Sequence, residues 1–382
     1  MHLAYFTPLP PARSGIADYS RDLLPALQPL VDLTLFVDRP EEAAATWRNR
    51  FDVAATADYP RRRWEFDLAL YHMGNNRQHT AIYALLRRYP GVVVLHDYVL
   101  HHLMATLGYG RELGYALGAA GAWGVRFGRI PPPIDSLPLN QRLLDTSLGV
   151  IVHSRYVAEL IRAARPDLAL SVVPMPVTLL PPVPAAAQLR AALGLPEDAL
   201  VLASLGQITP NRQPALSLRV FSRLQRRFPN LHYVIVGEAR DVAIGALIAE
   251  LPATAQAQVH VTGFVDDPAQ FDAYLALADV VLNVRYPTMG ETSGVALRAL
   301  AAGKPLVVFD LGWYHELSEG AVKVAPMDEA SLVAEVARLL DSAETRAALG
   351  QAGRVAIANQ HTPSAAAAAY RAFLESVLAH YA

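Results

Sequence analysis

The feature that most constrains this chain is a twice-repeated alternation of short, continuous apolar runs with amphipathic helical stretches. In the first half the runs lie at residues 2–6, 33–37, 68–71, 92–95, 150–153 and 170–173, with helical patterns at 16–27 and 156–164. Runs that are apolar at every position, rather than at every second one, belong to strands covered on both faces. Strand, helix and strand in series predict a parallel sheet. A stretch at 174–184 then carries five prolines, at 174, 176, 181, 182 and 184. Proline at that density breaks helix and central strand alike and predicts an interdomain connection. The alternation then restarts, with runs at 200–205, 233–236, 259–264, 280–284, 306–309 and 322–324 and helical stretches at 215–228, 270–277, 294–302 and 330–340.

These patterns predict two doubly wound α/β domains, at 1–178 and 198–361, joined by a linker at 179–197. A terminal helix at 362–382 would follow, packing back on the first domain or standing alone. Open α/β sheets bind ligands outside the carboxyl ends of their strands. Two such domains in tandem therefore predict an active site in an interdomain cleft. With 382 residues, 53% of them hydrophobic and 18% charged, the chain has ample material for two cores. A formal net charge of −2 gives no basic excess for nucleic-acid binding. The absence of cysteine excludes disulfides, thiolate metal sites and a cysteine nucleophile, and fits a cytoplasmic protein. The N-terminus reads as a first strand, and the apolar stretch 113–125 is too short and glycine-rich to span a bilayer.

Four turns at strand ends carry the candidate chemistry. The most informative is Asn283-Val-Arg-Tyr-Pro-Thr-Met-Gly-Glu-Thr-Ser-Gly294, which leads from a strand into a helix opening at Thr292 or Ser293. The free amides of such a helix start carry about half a positive charge and cradle phosphate. Gly290 and Gly294 would admit close approach of a ligand. Glu291 repels phosphate, so its expected partner is a sugar; the plainer alternative is that Ser293 and Glu291 only cap the helix. The second turn is Ser204-Leu-Gly-Gln-Ile-Thr-Pro-Asn-Arg-Gln213. Arg212 stands near a helix start, where a cation is misplaced unless it meets an anion such as phosphate; a solvated surface arginine is the alternative. The third turn places Ser14 and Gly15 at the start of the first helix, without the Gly-x-Gly-x-x-Gly spacing of a dinucleotide site. The fourth ends in Leu95-His-Asp97, where His96 is balanced between a cleft-facing ligand group and a satisfied structural histidine, with Asp97 as its cap or orienter.

Other features have plainer readings. His101 and His102 lack an acidic third ligand, so no metal site is expected. The Arg61-Arg-Arg-Trp64 cluster reads as a solvated loop, with peripheral contact to an anionic membrane face as its alternative. The glycine- and aromatic-rich stretch 108–128 reads either as an acceptor-side loop or as small-residue helix packing.

Taken together these segments resemble the retaining glycosyltransferases of family 4. The resemblance rests on Pro11-Ala-Arg-Ser-Gly-Ile-Ala-Asp-Tyr19, His96-Asp97, Val152-His-Ser154, Gly206 to Arg212, Val236-Gly237, Thr262-Gly-Phe-Val265, and Arg285 to Gly294 with Ala302-Gly-Lys-Pro305. It implies the GT-B fold, two doubly wound Rossmann-like domains facing an interdomain cleft. It also implies a nucleotide-sugar donor, most simply UDP- or GDP-linked, a sugar-containing acceptor, and no further cofactor. Gly15 and His96 would lie near the donor phosphates and sugar, with His96 and Glu291 as the catalytic pair. Arg212 would take the place of the family's diphosphate-binding lysine, and Phe264 and Val265 would line the base pocket. Gly206, Gln207, Gly237, Gly290, Thr292, Ser293 and Gly294 would complete the donor site.

Two positions depart from the family pattern. Gln207 stands where an arginine is usual. The second glutamate of the paired motif, eight residues after Glu291, is replaced by Ala299. Arg285 and Arg298 would supply compensating charge. The sequence holds no Asp-x-Asp pair, which predicts that cations and helix starts, not a metal, neutralise the leaving diphosphate. Three rival readings accompany transfer: a GT-B epimerase or hydrolase, a glycogen-type phosphorylase, for whose pyridoxal phosphate nothing in the sequence marks a lysine, and a non-catalytic nucleotide-sugar-binding subunit.

Overall fold

The computed structural model describes residues 1–129, 137–178, 186–317 and 319–381. Its contacts divide the chain into two units. The first comprises the described residues of Met1–Pro176 together with Met289–Thr292 and 361–381; the second comprises those of Val177–Thr288 and Ser293–Gln360. Of the expected linker, residues 179–185, with Pro181, Pro182 and Pro184, lie outside the described residues. Ala186–Ala192 form a helix of the second unit.

The first unit is built on seven parallel strands: β1 (His2–Phe6), β2 (Asp32–Val37), β3 (Asp52–Ala55), β4 (Leu68–Met73), β5 (Val92–Leu95), β6 (Gly149–Val152) and β7 (Leu170–Val172), in the order β3-β2-β1-β4-β5-β6-β7. The sequence patterns anticipate six of these. β3 escapes because it is a four-residue edge strand, Asp52-Val-Ala-Ala55, with a single buried residue.

Alternation along each strand feeds two cores, one on each face. In β1, Ala4 and Phe6 join one core while Leu3 and Tyr5 join the other. In β4, Ala69, Tyr71 and Met73 join the first, and Leu68 and Leu70 the second. The second core is closed by the helix Gly15–Leu27 and by the terminal helix Pro363–Tyr381, which buries Ala366, Ala367, Tyr370, Leu374 and Val377 there. Full burial of Leu374 and Val377 contributes about 1.5–3 kcal/mol each.

The second unit holds six parallel strands: β8 (Leu200–Leu205), β9 (Leu231–Val236), β10 (Val259–Val261), β11 (Val280–Leu282), β12 (Leu306–Phe309) and β13 (Ala321–Val324), in the order β10-β9-β8-β11-β12-β13. All six were expected. The helix Ala343–Gln360 was not, since its apolar residues follow no single face: only Gly350, Gly353 and Ile357 are buried. The stretch 108–128 is helical over Tyr109–Arg126, with one break at Gly118 (φ 71°). In the Arg61–Trp64 cluster, Arg62 pairs with Asp52 at 3.2 Å and Glu65 at 2.8 Å, and Arg63 lies over the exposed Trp64. Among the described residues no helix is long and apolar enough to cross a membrane.

Candidate functional site

In the second unit the candidate residues gather at the carboxyl ends of the neighbouring strands β8, β9 and β11. β8 runs into Gly206, whose φ of +95° suits glycine. The Arg212 guanidinium folds over this turn and donates from Nη1 to the Leu205 carbonyl at 2.6 Å. A Cβ on Gly206 would meet both terminal nitrogens of Arg212 at 2.9 Å, so glycine is needed for the arginine to lie there. Gly237, at the end of β9, approaches still closer: a Cβ there would fall 2.1 Å from the Gly206 carbonyl oxygen. Its role is thus to let two strand exits pack backbone against backbone.

The β8 and β11 exits are tied together. Tyr286 N–H donates to the Asn211 carbonyl at 2.7 Å, and Gln213 Nε2 donates to the Tyr286 carbonyl at 2.6 Å. Below them a cavity of about 30 Å³ is lined by Gly206, Gln207, Arg212, Tyr233, Asn283 and Val284 among others. That is room for a water or two, not for a nucleotide.

β11 leads through Asn283 and Arg285 to the helix Gly294–Ala301. Ser293 caps it, accepting from Ala296 N–H at 3.3 Å. The same hydroxyl lies 3.4 Å from Asn283 Nδ2 and 3.4 Å from Arg285 Nη2, and Tyr314 holds Asn283 through a 2.6 Å bond to Oδ1. A half-buried guanidinium therefore stands beside a helix N-terminus, where positive potentials add. Phe264 and Val265 follow β10 as half-buried side chains.

One expectation for this region is corrected, at Arg298, and two further positions gain a packing role. Arg298 does not reach out as compensating charge: its guanidinium is paired with Asp272 of the helix Pro268–Leu277, and both side chains are largely buried. Ala299 is fully buried, so nothing at that position replaces the missing ribose ligand. Gly290 is required by its φ of +75° and by packing, since a Cβ there would lie 2.5 Å from Tyr98 Cβ.

Residues 289–292 pack in the first unit. Val99 N–H donates to the Met289 carbonyl at 3.0 Å, and Glu291 turns back to accept from Met289 N–H at 2.7 Å. Thr292 is buried. Glu291 lies close enough to Tyr156 that its charge helps hold that phenol above its ordinary range, after burial.

The carboxyl ends of β4, β5 and β6 bring together a group the sequence reading only partly anticipated. Residues 68 and 70, 92 and 94, and 151 point into the core closed by the two helices. The same alternation carries His72, His96 and His153 to that face. The His72 and His96 rings lie 5.3 Å apart and the His96 and His153 rings 4.9 Å apart. Tyr19 touches all three, and its hydroxyl meets that of Tyr370 at 2.5 Å. His72 Nδ1 is hydrogen-bonded to His96 Nε2 at 3.0 Å. His96 is 7% exposed.

Burial pushes His72 and His96 well below the usual imidazole range and His79 and His153 down to about 4, so all four are neutral near pH 7. Asp97 Oδ2 accepts from Asn75 N–H at 2.8 Å. His101 bonds to the Leu137 carbonyl and Tyr109, and His102 to Asn75. Among the described residues no cluster of three or more acidic, histidine or cysteine side chains could hold a metal. Gly15 is exposed at the start of its helix, with open space where a side chain would be, and Ser14 caps that helix through Ile16 N–H at 3.2 Å.

Comparison with known proteins gives these strand ends a context. Residues 186–356 match the family model described as glycosyl transferases group 1. A D-inositol 3-phosphate glycosyltransferase of Segniliparus rotundus is 32% identical over 209 residues, which cover 48% of this chain and 42% of that protein. The chain thus matches less than half the length of that curated relative. HepE of Anabaena, solved in complex with UDP-glucose, superposes with a TM-score of 0.73 at 15% identity, covering 98% of this chain and all of that one. Sucrose-phosphate synthase of Thermosynechococcus elongatus superposes with a TM-score of 0.70 at 16% identity over both whole chains. At such identities the likeness establishes the fold, which is GT-B.

Proposed function

We propose, from a chain whose residues 186–356 match the family model of group 1 glycosyl transferases, that the protein moves a hexose-type sugar from a nucleotide diphosphate to a glycan, lipid-linked or small-molecule acceptor. The observation that supports this most is in the second unit. Two guanidinium groups, Arg212 and Arg285, stand with a serine-capped helix N-terminus on exits of adjacent strands tied by one backbone and one side-chain hydrogen bond. That is a surface for a diphosphate, lying over the loops because the cavity beneath is too small. Arg212 donates one N–H to the Leu205 carbonyl, which fixes its guanidinium over the Gly206 turn.

In the proposed reaction the bond from the anomeric carbon to the phosphate oxygen breaks, and its electron pair leaves with the diphosphate. The acceptor oxygen bonds to the same carbon from the same face, and its proton passes to the departing phosphate. Arg212, Arg285 and the helix amides oppose the growing negative charge. His96 and Glu291, both in the first unit, orient the sugar. Charge neutralisation by the protein implies transfer without a divalent ion, so rates should survive chelation. The reaction is assigned to the cytoplasm, with membrane contact at most peripheral.

HepE, whose crystal structure carries UDP-glucose, makes UDP-glucose the first donor to try. At one hundred times its dissociation constant a donor stabilises the protein by about 2.7 kcal/mol. Thermal shifts with UDP, GDP, ADP and their glucose adducts should therefore single out one base, and silence across the set overturns the reading. Gln207 and the buried Ala299 favour one alternative, a non-catalytic donor-binding subunit. Donor binding without turnover on any acceptor would select it; donor consumption without acceptor would point to a hydrolase.

A further inference from the structure

The His72–His96 contact leaves a question of which ring carries the shared proton. The surroundings of the cluster answer it. His79 Nδ1 faces the His72 carbonyl at 3.0 Å and His153 Nδ1 faces the Val173 carbonyl at 2.9 Å. A carbonyl only accepts, so both rings are protonated at Nδ1, and their buried Nε2 atoms, which have no hydrogen-bond partner among the described residues, are bare lone pairs. His72 Nε2 is likewise buried without a partner among the described residues.

Two arrangements are open to His72. If its Nδ1 accepts from His96, a buried Nε2–H is left with nothing to donate to. If its Nδ1–H donates to His96, only a lone pair goes unmatched. Orphaned buried N–H groups are the rarer defect, and the second arrangement is the one His79 and His153 already adopt. All four rings are neutral for the reason given above, so no additional proton changes the choice.

We infer that His72 is a positioning residue: its Nδ1–H donates to His96 Nε2 and fixes His96 as the Nδ1–H tautomer, a hydrogen-bond donor to an oxygen of the donor sugar. His96 Nε2 is committed, and Nδ1 is the ring nitrogen left for a ligand. Tyr19, packed edge-on against the His96 ring at 4.8 Å and tied to Tyr370, holds the ring's plane. The inference deepens the proposed function and rests on it for the identity of the ligand, though not for the tautomer.

The tautomer is read directly. Long-range ¹H–¹⁵N spectra of the full-length protein without ligand should show His96 with Nδ1 in the protonated range and Nε2 in the unprotonated range. The opposite assignment overturns the inference, whatever the protein's activity. His72→Phe keeps the ring packed against Tyr5 and removes the donor, whereas His72→Asn keeps an N–H close to the place of Nδ1. Calorimetry with UDP and UDP-glucose then separates base and phosphate contacts from sugar contacts. His72→Phe should leave UDP affinity unchanged and lower UDP-glucose affinity about tenfold or more, and His72→Asn should restore most of it. Equal loss for UDP and UDP-glucose, or no rescue by a folded His72→Asn, means that His72 acts only through stability and sinks the positioning role. If the wild-type protein binds neither ligand, the donor reading falls while the spectra still decide the tautomer.

Discussion

The two units present opposite chemistry at equivalent places. At the strand ends of the first, four histidines are buried, neutral and hydrogen-bonded to one another or to backbone carbonyls. At the strand ends of the second, arginines lie half-buried over glycine turns and beside a capped helix start. The first group is uncharged near pH 7 and the second is cationic.

The widest separation should appear in acid. His79 and His153 titrate near 4 when folded, against about 6.5 in an unfolded chain. Below pH 6.5 the unfolded chain binds protons that the folded unit refuses, so stability falls with falling pH, by about 3 kcal/mol for each ring once pH 4 is reached. Single-tryptophan variants retaining Trp47, in the first unit, or Trp313, in the second, follow each half separately. Trp47 should report unfolding at the higher pH, and coincident transitions would break the contrast.

Gly237→Ala should strike the second unit alone. Its Cβ would meet the Gly206 carbonyl, which must shift, and the strain should cost about 2–3 kcal/mol. A lower midpoint reported by Trp313 but not by Trp47 checks this. Arg212→Ala and Arg285→Ala should each weaken UDP by about 1.5–3 kcal/mol, roughly 10- to 150-fold, with little effect on stability. Unchanged affinity in both would remove the diphosphate from these loops. Ser293→Ala, which removes the cap, should lower stability by about 1 kcal/mol, measurable as a small shift in the same Trp313 transition.

Much of the candidate site was legible because it is local. A turn such as Ser204–Gln213 announces its glycine, its arginine and the helix to follow within ten residues, and the structure keeps them together. Arg298 misled for the complementary reason. Its partner Asp272 is 26 residues away on another helix, and no spacing rule connects them. His72 was silent as one polar residue in an apolar strand, and its role appears only beside His96.

By itself the sequence determined the repeated strand–helix order, the positions of nearly all strands, and which turns carry glycine and cations. Periodicity and backbone constraints act over a few residues, so a single stretch contains them. Only the tertiary structure decided which strand ends become neighbours and therefore which side chains meet. The order β1-β4-β5-β6 sets His72, His96 and His153 side by side. The terminal helix supplies Tyr370 to Tyr19 across 351 residues. Such pairings follow from burying two sheet faces at once, a condition on the whole unit that no local pattern encodes.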